Sequence, residues 1–202
     1  MRRFHFSDPD FRSAFAAFLE ERRETPEEVD AIVRDVLAAV RDEGLPALLR
    51  FARDFDRVEL DEGSIRVTED EIEAGAAACP GAVRDAIAFA AERIRAYHLR
   101  QRPQDQQYTD ESGVELGWRW TPIEAVRIYV PGGRAAYPST VLMNAVPAVA
   151  AGVERISMVT PPGRLQPAGL ASAKLAGVTE IWPVGGALAV AGLAYGAGPI
   201  GR

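Results

Sequence analysis

Three times between Val126 and Gly196 the chain runs from a β-branched stretch through a glycine-bearing turn into an Ala/Leu-rich segment. Residues 126–130 lead through Pro131-Gly132-Gly133 to a helix expected at about 139–151. Residues 155–160 lead through Pro161-Pro162-Gly163 to a second at about 167–176, and 178–184 through Gly185-Gly186 to a third ending at Tyr195-Gly196. Each apolar stretch is too short for a helix and rich in strand formers. Continuous apolar strands alternating with helices indicate a parallel sheet covered on both faces. Gly152 and Gly177 stand where helix C-caps belong. Because such crossovers are right-handed, all three turns fall on the carboxyl edge of one sheet, where open α/β sheets bind ligands. In the first unit Pro138-Ser139 signals helix entry before Val141-Leu142-Met143, so the turn faces a helix N-terminus, a place suited to an anionic group.

The rest of the chain is helical in pattern. Asp8-Pro9 reads as a helix start, with Phe11, Phe15, Phe18 and Leu19 on one face. Thr25-Pro26-Glu27-Glu28 reads as a capping box opening a helix striped by Val29, Ile32, Val33, Val36, Leu37 and Val40, which Gly44 ends. Leu45-Pro46 begins a third helix. Residues 64–67 are a short strand candidate, Thr68 and Glu71 form a second capping box, and Pro80 starts a long helix bearing Val83, Ile87, Ala90, Ile94 and Tyr97. Gln101 to Gln107 reads as a polar loop. Val114, Leu116, Trp118 and Trp120 alternate with polar residues, as in a half-buried strand. A boundary is therefore expected near Thr121, separating a helix-rich segment, 1–120, from the sheet-forming segment, 121–202.

Composition narrows the partners. A net charge of −6 and a pI near 5.1 disfavour nucleic acid and anionic membrane surfaces, both of which select basic faces. The single cysteine, Cys79, rules out an internal disulfide and suits a reducing, cytoplasmic setting. No apolar run approaches membrane-spanning length. His98, near a helix end without a carboxylate or serine beside it in sequence, is expected to be structural, as is His5.

The string Tyr129-Val-Pro-Gly-Gly133, followed by Pro138-Ser-Thr-Val-Leu-Met-Asn-Ala145, resembles the histidinol dehydrogenase family. Val184-Gly-Gly-Ala187, Phe55-Asp56 and Val40-Arg41 before Gly44 extend the resemblance from about Val29 to the last residue. That family oxidises L-histidinol to L-histidine in two NAD-dependent steps with one zinc per active site. The resemblance implies an incomplete Rossmann-like domain of aldehyde-dehydrogenase-like architecture, a homodimer, and a role in histidine biosynthesis. It implies that Tyr129 contacts NAD, with Gly132, Gly133, Gly185 and Gly186 forming the turns around the cofactor. Leu188 stands where the family carries a second NAD-contacting residue, a glutamine, and leucine can neither donate nor accept a hydrogen bond. A third NAD contact, the zinc ligands and the proton-handling Glu-His pair belong to a part of the family that follows Arg202. No catalytic or metal residue is expected in this chain, which reads as the N-terminal portion of such an enzyme, inactive alone. A relative oxidising another alcohol or aldehyde, and a short non-catalytic oligomerising or regulatory paralogue, are the alternatives.

Overall fold

The computed structural model describes residues 3–23, 27–132, 137–163 and 165–201. Helix α1, Phe11–Arg23, starts just after the Asp8-Pro9 turn. Its aromatic stripe packs on itself: the Phe11 and Phe15 rings stack at 5.5 Å, and Phe4 meets the Phe15 ring at 5.8 Å and the Phe18 ring at 5.1 Å. Helix α2 is Glu27–Glu43; the Thr25-Pro26 signal expected to open it lies outside the described residues. Gly44, at φ 68°, turns the chain into α3, Leu45–Phe51, which continues into a π-helical turn at Ala52–Asp56. Helix α4, Glu69–Ala77, opens with the expected reciprocal cap, in which Thr68 Oγ1 accepts the Glu71 N–H at 3.2 Å while a Glu71 carboxylate oxygen accepts the Thr68 N–H at 2.8 Å. Helix α5 is Gly81–Leu99.

Three expectations are corrected in this half. Residues 64–67 form no strand: Ile65 and Val67 are buried, but a single bond, Val67 N–H to the Ile181 carbonyl at 3.0 Å, ties them to the sheet. The stretch around Leu116 and Trp118 is a strand, β2, Glu115–Trp118, but an exposed one rather than half-buried. It pairs antiparallel with β1, Gln106–Thr109, which begins within the stretch read as a polar loop. Gln-Gln-Tyr-Thr has no apolar alternation, so only the partner strand across the Gly113 turn reveals it.

The three repeated units fold as expected. Strands β3 (Ala125–Tyr129), β4 (Arg155–Val159) and β5 (Glu180–Trp182) form a parallel sheet in the order β3-β4-β5. The helices between and after them are α6 (Pro138–Ala151), α7 (Pro167–Ala176) and α8 (Gly186–Tyr195). Gly152 and Gly177 end α6 and α7 in the left-handed conformation, at φ 95° and 82°. Alternation along the strands sends Ile128, Ile156, Met158 and Ile181 into a core with residues of α4 to α7. Val159, Trp182 and Val184 enter a second core with Val36, Val40, Leu48 and the α8 residues Leu188 and Ala191. The fold is thus α/β, with a parallel sheet covered by helices on both faces. Each fully buried Ile or Val contributes roughly 1.5–3 kcal/mol, so these two cores dominate the fold's stability.

Candidate functional site

The register levels the carboxyl ends of the strands, with Tyr129 opposite Val159 and Val159 opposite Trp182. The three turns therefore open along one edge. Tyr129, the last residue of β3 and 38% exposed, points to the face that carries α8. Its hydroxyl accepts the Gly186 backbone N–H at 3.4 Å, so the first and third turns meet. Gly132 lies exposed just beyond β3, and Gly133 is outside the described residues.

The third turn is built by glycine for two separate reasons. Gly185 has an ordinary extended backbone, but a Cβ there would lie 2.7 Å from Pro161 Cγ and 3.0 Å from Pro161 Cβ, atoms of a rigid ring in the second turn. Gly186, at φ 57°, needs the left-handed region, and no atom lies within 4 Å of where its Cβ would be. One glycine lets two turns close on each other; the next leaves open space at the start of α8.

Beside that space is a cavity of about 350 Å³ lined by Ile32, Val33 and Val36 of α2, Phe55 and Asp56 of the π-helical turn, and Gly185 to Leu188. Among the described residues, Asp56 is the charged residue of its lining. Burial pushes the Asp56 carboxyl above the ordinary range, against the opposing pull of the Gly185 N–H it accepts. Leu188, 3% exposed, stands on the inner wall with its side chain in the core beneath the turn. Among the described residues, the edge therefore combines an apolar pocket, the Asp56 carboxylate, a phenol and a glycine turn whose Gly186 N–H donates to Tyr129.

A larger cavity, about 440 Å³, lies at the amino end of β3, where His98 and Arg102 meet Trp120, Pro122 and Val126. His98 packs edge-on against Tyr97, ring centroids 5.1 Å apart. His5 lies in the N-terminal turn, where its backbone N–H donates to Asp8 at 3.2 Å. Among the described residues, no group of three or more His, Cys, Asp or Glu side chains is placed to hold a metal. No helix among them is long and apolar enough to cross a membrane.

Sequence reading singled out Tyr129 and the glycines but used Phe55-Asp56 only to extend the family resemblance. Nothing local marks Asp56, because its partner Gly185 is distant in sequence and only the packing of α2 and the π-helical turn against α8 unites them.

Over residues 19–202 the chain matches the family model for histidinol dehydrogenase. It is 73% identical over 200 residues to a histidinol dehydrogenase of Caulobacter vibrioides, covering 99% of this chain and 47% of that protein. A Brucella abortus histidinol dehydrogenase is 55% identical over 192 residues, 94% of this chain and 45% of that one. The crystal structure of histidinol dehydrogenase from Elizabethkingia anophelis superposes with a TM-score of 0.79 at 34% identity, over 86% of this chain and 40% of that one. The chain thus spans about half the length of the curated relatives it matches. It belongs to the histidinol dehydrogenase family of oxidoreductases.

Proposed function

We propose that the carboxyl edge of this sheet is the NAD side of an enzyme oxidising L-histidinol to L-histidine, with Tyr129, Gly132, Gly133, Gly185, Gly186 and Leu188 around the cofactor. The observation that carries the reading is the meeting of the Tyr129 hydroxyl with the Gly186 N–H at the start of α8. The residues fit a dinucleotide. Gly186 offers open backbone beside an apolar cavity, and Gly185 allows the close turn contact that positions it. NAD, when bound, supplies the hydride acceptor. The chain's own contribution is to orient the dinucleotide: the β3 end presents the phenol, which also fixes the start of α8 through the Gly186 N–H, and the glycine turn allows close backbone approach. Zinc does not fit the described side chains in the same way, since they offer no ligand cluster, and no step is assigned to it here.

The same reading treats residues 1–120 as the helical layer that walls the cleft and 121–202 as the first half of the nucleotide-binding domain. It places the whole protein in the cytoplasm as a homodimer, consistent with an acidic chain holding one cysteine. Titration calorimetry with NAD tests it. Tyr129→Ala should weaken NAD binding roughly tenfold, the loss of about one hydrogen bond and a ring contact. Unchanged affinity would remove Tyr129 from the cofactor site.

A further inference from the structure

The amino edge of the sheet, opposite the glycine turns, carries a second cavity with a chemistry of its own. Strand β3 is five residues long, so roughly 16 Å of chain separates the two edges. The floor of this cavity is apolar, formed by Val126 of β3, Pro147 and Ala151 of α6, and Val153. Its mouth carries Trp120, 59% exposed, and Ile123, 63% exposed. Trp120 is held there by its backbone N–H, which donates to the Asp105 carboxylate at 2.7 Å. Beside it the Trp118 indole N–H donates to the Gln104 carbonyl at 3.1 Å. The polar side chains of the lining are His98, Gln101, Arg102 and Thr121, each able to donate a hydrogen bond. Among the described residues the lining holds no carboxylate.

Helices α5 and α6 both end at this cavity, and bare helix C-termini would favour a cation. Their last carbonyls are capped from within the chain. The Arg100 and Gln101 N–H groups donate to Tyr97 and His98, and the Gly152 and Val153 N–H groups to Val149 and Ala148. Arg102 then carries the full charge of the lining and selects an anion. We propose that this cavity binds a small planar aromatic carboxylate, its ring against Trp120 and the apolar floor and its carboxylate in the fork of Arg102. The volume of about 440 Å³ suits a ligand of one or two rings. The site is independent of the NAD reading, because its lining shares no residue with the glycine turns.

The test follows backbone amide shifts of the isotope-labelled 202-residue chain, at a concentration where it is monomeric. Separate titrations use indole-3-carboxylate and its neutral counterpart, indole-3-carboxamide. The carboxylate should shift the amides of Gln101, Arg102, Trp120, Val126 and Ala151 while leaving those of Tyr129 and Gly186 in place. The carboxamide should bind about tenfold more weakly, as loss of a charge-assisted hydrogen bond implies. Arg102 is exposed, so Arg102→Gln keeps the fold, and there the two affinities should converge to within about twofold. Trp120→Ala should weaken both ligands roughly fivefold by removing the ring. Equal binding of acid and amide to the wild type, a preference that survives in Arg102→Gln, or a Trp120→Ala variant without effect would overturn the assignment. So would shifts confined to the carboxyl edge, or no shifts at millimolar carboxylate.

Discussion

Asp56 and Glu71 are carboxylates held in opposite senses. Thr68 hydrogen bonds keep the Glu71 carboxyl low, so its stabilising contribution is present above its unfolded pKa and is lost as pH falls through the folded one. Asp56 is raised by burial, with no charged partner among the described residues lining the cavity. Its folded state binds the proton more tightly, so stability is greatest with the acid protonated and declines as pH rises through the folded pKa. Asp56→Asn should therefore gain on the wild type as pH rises from about 4 toward neutrality. The gain should stay below about 1 kcal/mol, because the group is only partly buried and solvent screens it. Urea titrations at several pH values measure it, and parallel wild-type and variant curves would contradict it. Leu188 carries a second prediction. Its side chain is core, so Leu188→Gln puts an amide where leucine packs and should cost about 1–3 kcal/mol in urea unfolding. Wild-type stability would mean the longer side chain reaches into the cavity, where it could serve as the family's glutamine does.

At the scale of elements, the site depends on the third turn leaning on the second. Gly185→Ala forces a methyl group into the Pro161 ring, whose rigid atoms cannot rotate aside. Overpacking of this kind should cost about 1–3 kcal/mol. It should also weaken NAD binding, because relief of the clash draws the start of α8 away from Tyr129 and Asp56. A stability loss below about 0.5 kcal/mol, the level of an indifferent substitution, would show that the two turns part freely. The buried Trp182 indole N–H, with no hydrogen-bond partner among the described residues, sits in the core behind this turn. The Arg66 guanidinium lies 5.8 Å from the same ring's centroid.

The whole molecule shows a well-filled double core and poorly covered margins. Phe6 is 86% exposed, and Trp120 and Ile123, at 59% and 63%, lie beyond an exposed hairpin. Among the described residues β3 has a partner strand on one side only, leaving backbone groups on the other that can pair with another chain. Trp120 and Ile123 line one cavity together, and exposed apolar surface of this kind marks contact faces. The 202-residue chain should therefore associate with rising concentration in sedimentation velocity runs, and the pair Trp120→Ser with Ile123→Ser should reduce that association. A monomer at every concentration tested would refute this.

The sequence alone determined the repeated strand–turn–helix unit, the parallel sheet, the Thr68 cap and the glycine C-caps. Each depends on residues close together in the chain: period, β-branching, a cap four residues long. The side chains converging at the edge were only half legible. Tyr129 and Gly186 stand at turns that local pattern can find, but Asp56 matters through Gly185, and Leu188 through the core beneath it. Helix packing places the π-helical turn over α8, and the strand register aligns the three turns. The β1 strand escaped for a similar reason, since Gln-Gln-Tyr-Thr becomes a strand only through its partner. What tertiary structure decided, then, was which distant residues share the cleft, because contacts across layers depend on how the helices cover the sheet and leave no periodic trace in either segment.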